Sequence, residues 1–446
     1  MLIRFNVENF LSFNQQVEFS MIAGKERRLP SHLVKGSGIT ILKTAVIYGA
    51  NASGKTNLVR AIDFSKKLIL QGIENLNPID CHFRLGKDNQ NKPSVFNFEI
   101  ALGEKCYSYG FAAQLNNNQI LEEWLMEIGP GNKEQKIFER TLNDAGEHII
   151  DYGIKLSPSE KKRFDVYKQD FKHADSLLFL SEMSRKSMAD SALGEILLSV
   201  YAWFRLKLTV LFPGSRYSGL NFIGNDEEMA STFGQFLNVF QTGIEGITSK
   251  EISLEHFDLP DPIKKDIAQQ AEKTHQLIFE INGESFALKK SDTNGYKIIK
   301  IGLTHKNQKK ESIVFDVEDE SDGTRRLLDF IPALHQLAKT NATFIIDELD
   351  RSLHSKLTIN IFNLFYELAS SNKSQLIATT HESLLLDLEL FRKDEIWFVE
   401  KNNNESRLYS LDEFKVRNDK IINKDYLLGR YGAIPIFKSF SHLNLK

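Results

Sequence analysis

Cysteine is scarce in this chain of 446 residues, which contains only Cys81 and Cys106. Two cysteines are too few for a disulfide framework, and they lack zinc-ligand spacing. Long apolar runs are missing too, since none approaches the length that a bilayer crossing needs. The first residues enter an alternating strand pattern without the apolar block of a signal peptide. These absences predict a cytoplasmic protein with no membrane partner.

A charge imbalance is also missing, because 56 Lys and Arg stand against 59 Asp and Glu, for a formal net charge of -3. A protein that holds nucleic acid by charge alone has a strongly basic surface, which this composition does not provide. Local patches leave DNA binding open as an alternative. Lys161-Lys162-Arg163 is either a solvated helix face or a nucleic-acid contact, and Lys306, Lys309 and Lys310 share one predicted turn.

The most specific pattern is a glycine-rich loop, Gly49-Ala50-Asn51-Ala52-Ser53-Gly54-Lys55-Thr56, between an apolar run and a helical pattern. Strand, glycine loop and helix form the context of a phosphate-binding loop. The glycines allow a tight turn whose N–H groups face one anion, and the helix N-terminus adds positive charge. The alternative is a chance glycine turn before a helix. The predicted ATP ligands are Gly49, Asn51, Ala52, Ser53, Gly54, Lys55 on the β- and γ-phosphates, and Thr56, which would also hold Mg²⁺.

A second pattern is the apolar run Thr343-Phe344-Ile345-Ile346, which ends in Asp347 and Glu348. It predicts a buried parallel strand with two carboxylates at its C-terminal edge, where α/β sheets bind ligands. We expect Asp347 to bind Mg²⁺ and Glu348 to act as the general base toward the attacking water. The alternative is a strand that ends in solvated acids.

Another apolar run, residues 375–380, ends in His381. A histidine at this place can touch the γ-phosphate and the attacking water, although a lone histidine is more often structural. We favour a catalytic role for His381 because of the order of the motifs along the chain. The glycine loop comes first, then the acidic strand, a helix, and the strand that ends in the histidine.

A helix start at Ser321-Asp322-Gly323-Thr324 offers a second anion site through free N–H groups and a hydroxyl. The alternative is an ordinary helix cap. Two anion sites in one chain suggest that each ATP lies between the glycine loop of one subunit and the Ser321 helix of another. The second set of predicted ATP ligands is therefore Ser321, Gly323 and Thr324.

Coarser patterning predicts three segments. Residues 1–156 carry two short strands, the glycine loop with its helix, and an antiparallel meander. Residues 157–276 carry helical patterns over 158–173, 190–211, 226–243 and 261–275, which predict a compact helical insertion. Residues 277–446 return to strands and contain the remaining motifs.

Taken together, these motifs resemble those of the ABC-type ATPase heads, including SMC-like repair proteins and the overcoming-lysogenisation-defect family. The resemblance implies an α/β fold, with a P-loop sheet that is parallel or mixed, an antiparallel β lobe and a compact helical insertion. Residues 426–435 are similar to the tail of AAA-family ATPases from bacterial abortive-infection and phage-defence loci, such as the ATPase subunit of the PARIS system. The matching motifs are Walker A at 49–56, the signature at 321–324, Walker B and the catalytic glutamate at Asp347 and Glu348, the D-loop at 349–350, and the switch histidine at His381.

The sequence departs from these families at three points. No glutamine stands clearly at the Q-loop, where His82 or Arg84 is the candidate. Asp322 interrupts the usual Ser-Gly-Gly signature. The stretch of about 250 residues between the helix after the glycine loop and the signature segment is much too short for an SMC arm, even as continuous helix. No acidic cluster after residue 400 suits a nuclease metal site, so we expect any effector to be a separate protein.

Three functions fit these observations. The first is an ATPase whose ATP-sandwiched homodimer or larger assembly controls a toxin or nuclease in anti-phage defence. The second is a repair-type ATPase that clamps DNA, against which the missing coiled coil and neutral composition argue. The third is a scaffold that binds ATP without hydrolysis, against which Glu348 argues.

Overall fold

A computed structural model describes residues 1–36, 38–186, 191–214, 227–257, 259–274, 276–281, 284–291, 295–417 and 420–435. The chain divides into two compact units. The first unit comprises Met1–Pro213, Thr340–Asp350 and Phe362–Lys446, and the second comprises Gly214–Lys339 and Arg351–Ile361. These units do not coincide with the three segments that sequence patterning predicts. Each unit is described by itself below.

The described strands, in chain order, are β1 (Leu2–Glu8), β2 (Val17–Ser20), β3 (Leu33–Gly36), β4 (Ile39–Leu42), β5 (Thr44–Tyr48), β6 (Ser94–Leu102), β7 (Lys105–Gln114), β8 (Gln119–Gly129), β9 (Lys133–Leu142), β10 (His148–Tyr152), β11 (Leu208–Leu211), β12 (Ile244–Ser253), β13 (Gln276–Ile281), β14 (Glu284–Ser291), β15 (Gly295–Lys306), β16 (Ser312–Asp316), β17 (Thr343–Ile346), β18 (Gln375–Thr379), β19 (Ile396–Asn402) and β20 (Glu405–Ser410). The described α-helices are α1 (Lys55–Gln71), α2 (Pro158–Asp170), α3 (Phe179–Arg185), α4 (Ala192–Ala202), α5 (Glu227–Val239), α6 (Asp261–Thr274), α7 (Asp322–Lys339), α8 (Ser355–Leu368) and α9 (Ile422–Leu427).

A six-stranded sheet in the first unit carries the P-loop strand. Its order is β11-β17-β18-β5-β19-β20, and every pairing is parallel except β19 with β20. β5, β17 and β18 are buried along their whole length. Such strands read as continuous apolar runs because both faces of a parallel sheet are covered. Their C-terminal ends meet at one edge, which places the glycine loop, Asp347 and His381 together.

An antiparallel seven-stranded sheet forms the β lobe of the same unit, in the order β10-β9-β8-β7-β6-β1-β2. β6 alternates between buried and more exposed residues, with Phe96, Phe98 and Ile100 buried, whereas β7 is buried from Cys106 to Ala113. Helix α1 buries Leu58, Ile62, Leu68 and Ile69 on one face. One hydrophobic core includes residues of both sheets and of α1. The predicted α/β ATPase-head fold, with a mixed P-loop sheet and an antiparallel β lobe, is thereby confirmed.

The second unit contains a further antiparallel sheet. The strands follow the order β12-β15-β14-β13, and β16 also pairs with β15. Its amphipathic helix α7 contains Pro332 and begins at the signature segment. Within the described ranges, no helix combines the length and apolar character that a membrane crossing requires.

The structure departs from the helical pattern predicted over 190–211, and it has a strand between the patterns at 226–243 and 261–275. The pattern over 190–211 ends as a helix at Ala202, passes through a π-turn at Trp203–Lys207 and continues as β11, which pairs with β17. Ile244–Ser253 is β12, which pairs with β15. Both stretches contain β-branched residues, and tertiary pairing with a partner distant in sequence decides their state. The sequence pattern also missed α3.

Candidate nucleotide site

The glycine loop joins β5 to α1 at the C-terminal edge of the six-stranded sheet. Gly49 is packed so closely that a Cβ atom would lie 2.4 Å from the carbonyl oxygen of Val399. Gly54 has a φ of 117°, which only glycine adopts readily, and it precedes α1 without a side-chain cap. Ala52 is also left-handed, with a φ of 61°. The α1 N–H groups therefore keep their capacity to bind an anion.

Lys55 folds back over this loop. Its Nζ donates to Gly49 O at 2.8 Å and to Ala50 O at 3.3 Å. Burial lowers the pKa of Lys55 to about 8, although nearby carboxylates act in the opposite direction. The carboxylates, in order of their effect, belong to Asp347, Glu348 and Asp350. A cation held over an uncapped helix start is the arrangement that attracts phosphate.

Asp347 and Glu348 follow β17 and share one partner, Thr379. The Thr379 hydroxyl donates to Asp347 Oδ1 at 2.6 Å, and it accepts from the backbone N–H of Glu348 at 2.8 Å. Asp347 is almost fully buried. Glu348 has a φ of 49°, a left-handed conformation that costs a non-glycine residue on the order of 1–3 kcal/mol. Thr379 thus sets the orientation of one carboxylate and holds the backbone of the other.

His381 follows β18 and is tied to the D-loop. Its backbone N–H donates to both carboxylate oxygens of Asp350, at 3.3 and 3.2 Å. The imidazole is exposed at the surface, but partial loss of hydration and the charge of Lys55 lower its pKa. A lowered pKa favours the neutral ring, which can accept as well as donate a hydrogen bond.

Two serines and an asparagine support the glycine loop from the side away from the carboxylates; the sequence analysis did not identify them. Ser406 of β20 donates to Ser53 O at 2.5 Å, and its Oγ lies 2.8 Å from Ser12 Oγ, from which it can accept a hydrogen bond. Asn57 Nδ2 donates to the same Ser12 Oγ at 2.8 Å. A Cβ at Gly54 would lie 2.2 Å from Ser406 Oγ. Asn57 could have been inferred from its place after Thr56, but nothing around Ser406 signals its role.

The C-terminal segment also reaches the P-loop strand. Tyr426 of α9 packs edge-on against Tyr48, the residue before Gly49, at 5.9 Å between ring centroids. Tyr426 donates its hydroxyl to Ala433 O, and Tyr409 donates its hydroxyl to Tyr431 O. The contact of Tyr426 with Tyr48 joins this C-terminal segment to the strand that precedes the glycine loop.

The signature residues belong to the second unit. Ser321 Oγ accepts from Thr324 N at 3.2 Å and lies 2.9 Å from Thr324 Oγ1, which is a helix cap. Gly323 packs against the backbone of Ser352, because a Cβ would lie 2.8 Å from that carbonyl oxygen. Ser321 is exposed and Thr324 is half-buried. In the single chain, Ser321 therefore caps the helix. That this helix start also binds an anion stays a prediction.

The Q-loop candidates lie next to the end of β1. Cys81 O accepts from Leu11 N at 2.8 Å, and Phe83 N donates to Asn9 Oδ1 at 3.2 Å. His82 is buried, and its Nδ1 has no hydrogen-bond partner among the described residues. Arg84 is exposed. The choice between His82 and Arg84 remains open.

The residues present fit a nucleotide with Mg²⁺. Ser53 Oγ is buried and has no hydrogen-bond partner in the described part of the chain, so its hydroxyl is available to a phosphate oxygen. Thr56 and Asp347 offer oxygen ligands, the type that Mg²⁺ prefers. The described ranges hold no cluster of three or more His, Cys, Asp or Glu suited to a metal. Mg²⁺ commonly binds through one or two protein oxygens and substrate phosphates, so such a cluster is not required.

A protein family described as "AAA domain, putative AbiEii toxin, Type IV TA system" matches residues 45–387. This range covers more than half of the chain and contains the glycine loop, the two carboxylates and His381. The chain belongs to this AAA family. Comparison with curated protein sequences finds no match.

This AAA domain is also similar to solved SMC heads. The SMC head domain from Thermotoga maritima is 12% identical, with 92% of this chain and 98% of that chain covered and a TM-score of 0.37. A Pyrococcus furiosus Smc head domain with an extended coiled coil, bound to the C-terminal domain of ScpA, is 13% identical over 96% and 99% of the two chains, with a TM-score of 0.38.

Proposed function

We propose that this AAA domain binds ATP with Mg²⁺ and hydrolyses it. The observation that carries the proposal is that the glycine loop with Lys55, the Asp347–Glu348 pair and His381 follow three neighbouring parallel strands and lie at one sheet edge. Open α/β sheets bind ligands at this edge. The support of the loop by Ser406 and the shared Thr379 contact are what a preorganised phosphate site requires.

Each residue has a distinct role in the proposed reaction. The loop N–H groups and Lys55 bind the phosphates, and Thr56 and Asp347 hold the metal, which supplies charge neutralisation when bound. Glu348 accepts a proton from the attacking water. His381, held through its backbone by Asp350, donates a hydrogen bond toward the transferred phosphoryl group. In-line phosphoryl transfer depends mainly on such positioning and charge stabilisation.

The test is ATP turnover by the Glu348→Gln variant. We expect it to bind ATP and to hydrolyse it at least ~10²-fold more slowly, because the base is lost while the side-chain size is kept. Exposed Glu389→Gln serves as the matched control and should turn over normally. Normal turnover by Glu348→Gln would show that Glu348 is not the base.

We further propose that ATP joins two copies of the chain, so that Ser321 and Gly323 of one copy complete the site of the other. The exposure of the Ser321 helix start supports this arrangement. The assembled state would control a separate toxin or nuclease in defence against phage, in keeping with the family description and with the similarity of residues 426–435 to defence ATPases. In this proposal, ATP hydrolysis separates the subunits and ends their control of the toxin or nuclease.

DNA binding is the second candidate function. Lys161 and Lys162 line a shallow surface cleft on α2, which supports a backbone contact. Filter binding of duplex DNA across salt concentrations tests it, since phosphate contacts weaken steeply with salt. Absence of binding at low salt would remove this candidate and leave the ATPase proposal intact.

A further inference from the structure

A cleft opens on the outer face of the β lobe, on the side opposite the buried phenylalanines of β1 and β6. Its volume is about 240 Å³. The cleft lies across strands that pair in register, since Asn6 lies opposite Asn97, and Gly110 lies opposite both Asn97 and Trp124. None of the nucleotide-site residues lines it. Its polar and aromatic lining includes Asn6, Glu8, Asn97, Ser108, Trp124 and Glu134.

Trp124 is held as a rigid platform in this cleft. Its indole N–H donates to Asn97 Oδ1 at 3.0 Å, and Ser108 donates to the same oxygen at 3.0 Å. The ring lies against Gly110, where a Cβ would be 2.4 Å from the indole. The indole therefore packs against the backbone of Gly110 while it also lines the cleft. Trp124 is half-exposed, whereas Trp203 and Trp397 are buried.

The negative charge of the lining residues favours a cationic ligand. Glu8 and Glu134 line the cleft, and the lining contains no basic residue. Among the described residues, neither carboxylate has an ion pair, whereas the neighbouring Glu99 is paired with Arg4. A cation that stacks on an indole and meets carboxylates gains both cation–π and ionic stabilisation, and arginine does so more often than lysine. An anionic nucleotide or nucleic acid would be repelled.

The small volume of the cleft favours a ligand the size of one amino-acid side chain. Pockets for drug-sized ligands usually span about 300–1,000 Å³, and this cleft is smaller. The remaining polar lining groups are amides and a hydroxyl, which suit the hydrogen-bonding edge of a planar guanidinium, and Val7 and Val95 complete the lining. Since Trp124 and Asn97 are already fixed by their mutual hydrogen bond, little side-chain entropy is lost on binding.

We propose that this cleft binds an arginine side chain of a partner protein. It lies on the β lobe and shares no lining residue with the nucleotide site, so it gives the effector of the proposed function a docking point that ATP does not occupy. The inference rests on the proposed function only in requiring that a partner protein exists.

The test uses the indole N–H resonances of the full-length ¹⁵N-labelled protein. The chain has three tryptophans, so Trp124→Phe identifies the Trp124 signal. The probe is N-acetyl-arginine-N-methylamide, and its controls are the citrulline and glutamate equivalents. We expect the Trp124 resonance to shift saturably with the arginine probe and not with the neutral isostere citrulline. An equal shift with citrulline, a shift with a short oligothymidylate, or no shift with arginine would overturn the proposal.

Variants of the two carboxylates test whether they contribute to arginine binding. Glu8→Gln combined with Glu134→Gln should weaken arginine binding at least ~5-fold, since two ionic contacts are lost. Glu104→Gln, exposed in the turn between β6 and β7, is the matched control and should bind arginine as the wild type does. Unchanged binding by the double variant would contradict the proposal. ATP affinity of the same samples, measured separately, reports on the nucleotide site and should be unaffected.

Discussion

At the scale of the residue, burial changes the pKa of the Lys55 amine and therefore its expected affinity for phosphate. The amine is buried under its own loop, and this burial brings its pKa to about 8. Below that pH the amine is charged and attracts phosphate; above it the amine is neutral. Bound phosphate favours the charged form, so the pKa rises again in the complex.

The pH dependence of ATP affinity tests this property. We expect affinity to be constant below about pH 8 and to fall as pH rises, by at most ~10-fold per pH unit, because one proton must be taken up on binding. Isothermal titration between about pH 7 and 9.5 measures it. Lys55→Arg stays charged throughout and should lose this decline. A wild-type affinity that does not change with pH would contradict the assignment of Lys55.

Ser406 is a positioning residue, since it acts on the loop and not on the nucleotide. Ser406→Ala should weaken ATP binding by about 5- to 10-fold, the free energy of one buried hydrogen bond. Ser410→Ala is the control, because Ser410 is also buried on β20 but caps Asp412 instead of the loop. Equal ATP affinity in the two variants would show that the Ser53 contact does not organise the loop.

At the scale of the element, the β lobe holds α3 through a buried ion pair. Glu123 of β8 accepts from the N–H groups of Phe179 and Leu180 at the start of α3, and from the Tyr109 hydroxyl. Arg140 of β9 lies 3.6 Å from Glu123, and both side chains are fully buried. Burial raises the pKa of Glu123, while Arg140 acts in the opposite direction. The pair replaces an N-cap that the α3 sequence lacks.

Removing one member of this pair should be costly. We expect Glu123→Ala to lower the free energy of unfolding by about 3–5 kcal/mol, because Arg140 is left buried without its countercharge. Glu123→Leu with Arg140→Met should lose less, since no buried charge remains. Denaturant unfolding measures both. Glu127→Gln, which breaks the surface pair with Lys105, should stay within about 1 kcal/mol of wild type. A loss of similar size for Glu123→Ala and Glu127→Gln would contradict the role of the buried pair.

At the scale of the whole molecule, the prediction concerns assembly. With ATP and Mg²⁺, Glu348→Gln should accumulate as a dimer or larger species, because hydrolysis no longer separates the subunits. Light scattering after size exclusion measures the mass. Ser321→Ala should reduce both assembly and turnover while an isolated subunit still binds ATP. Ser312→Ala, another exposed serine, is its control. A monomer that is fully active at high dilution would contradict the shared site.

Local sequence was sufficient for the elements that carry the motifs. Glycine spacing before α1, the apolar runs of β5, β17 and β18, and the alternation of β6 each follow from short-range stereochemistry and burial. A parallel arrangement of these strands could be anticipated, because each motif lies where a buried strand ends, whereas their order in the sheet is known only from the structure. β11 could not be predicted, since Leu208–Leu211 is a strand only through its pairing with β17, which lies more than a hundred residues away.

The sequence by itself determined that a glycine loop, two carboxylates and a histidine follow buried strands, and hence that they meet at one sheet edge. Tertiary structure alone decided that Ser406 supports the loop, that Thr379 links Asp347 to Glu348, and that Glu123 caps α3. Nothing in the sequence around Ser406, Thr379 or Glu123 predicts these contacts. A hydrogen bond depends on which residues come close in space, and these partners are distant in sequence. Such proximity is created only when the sheets pack.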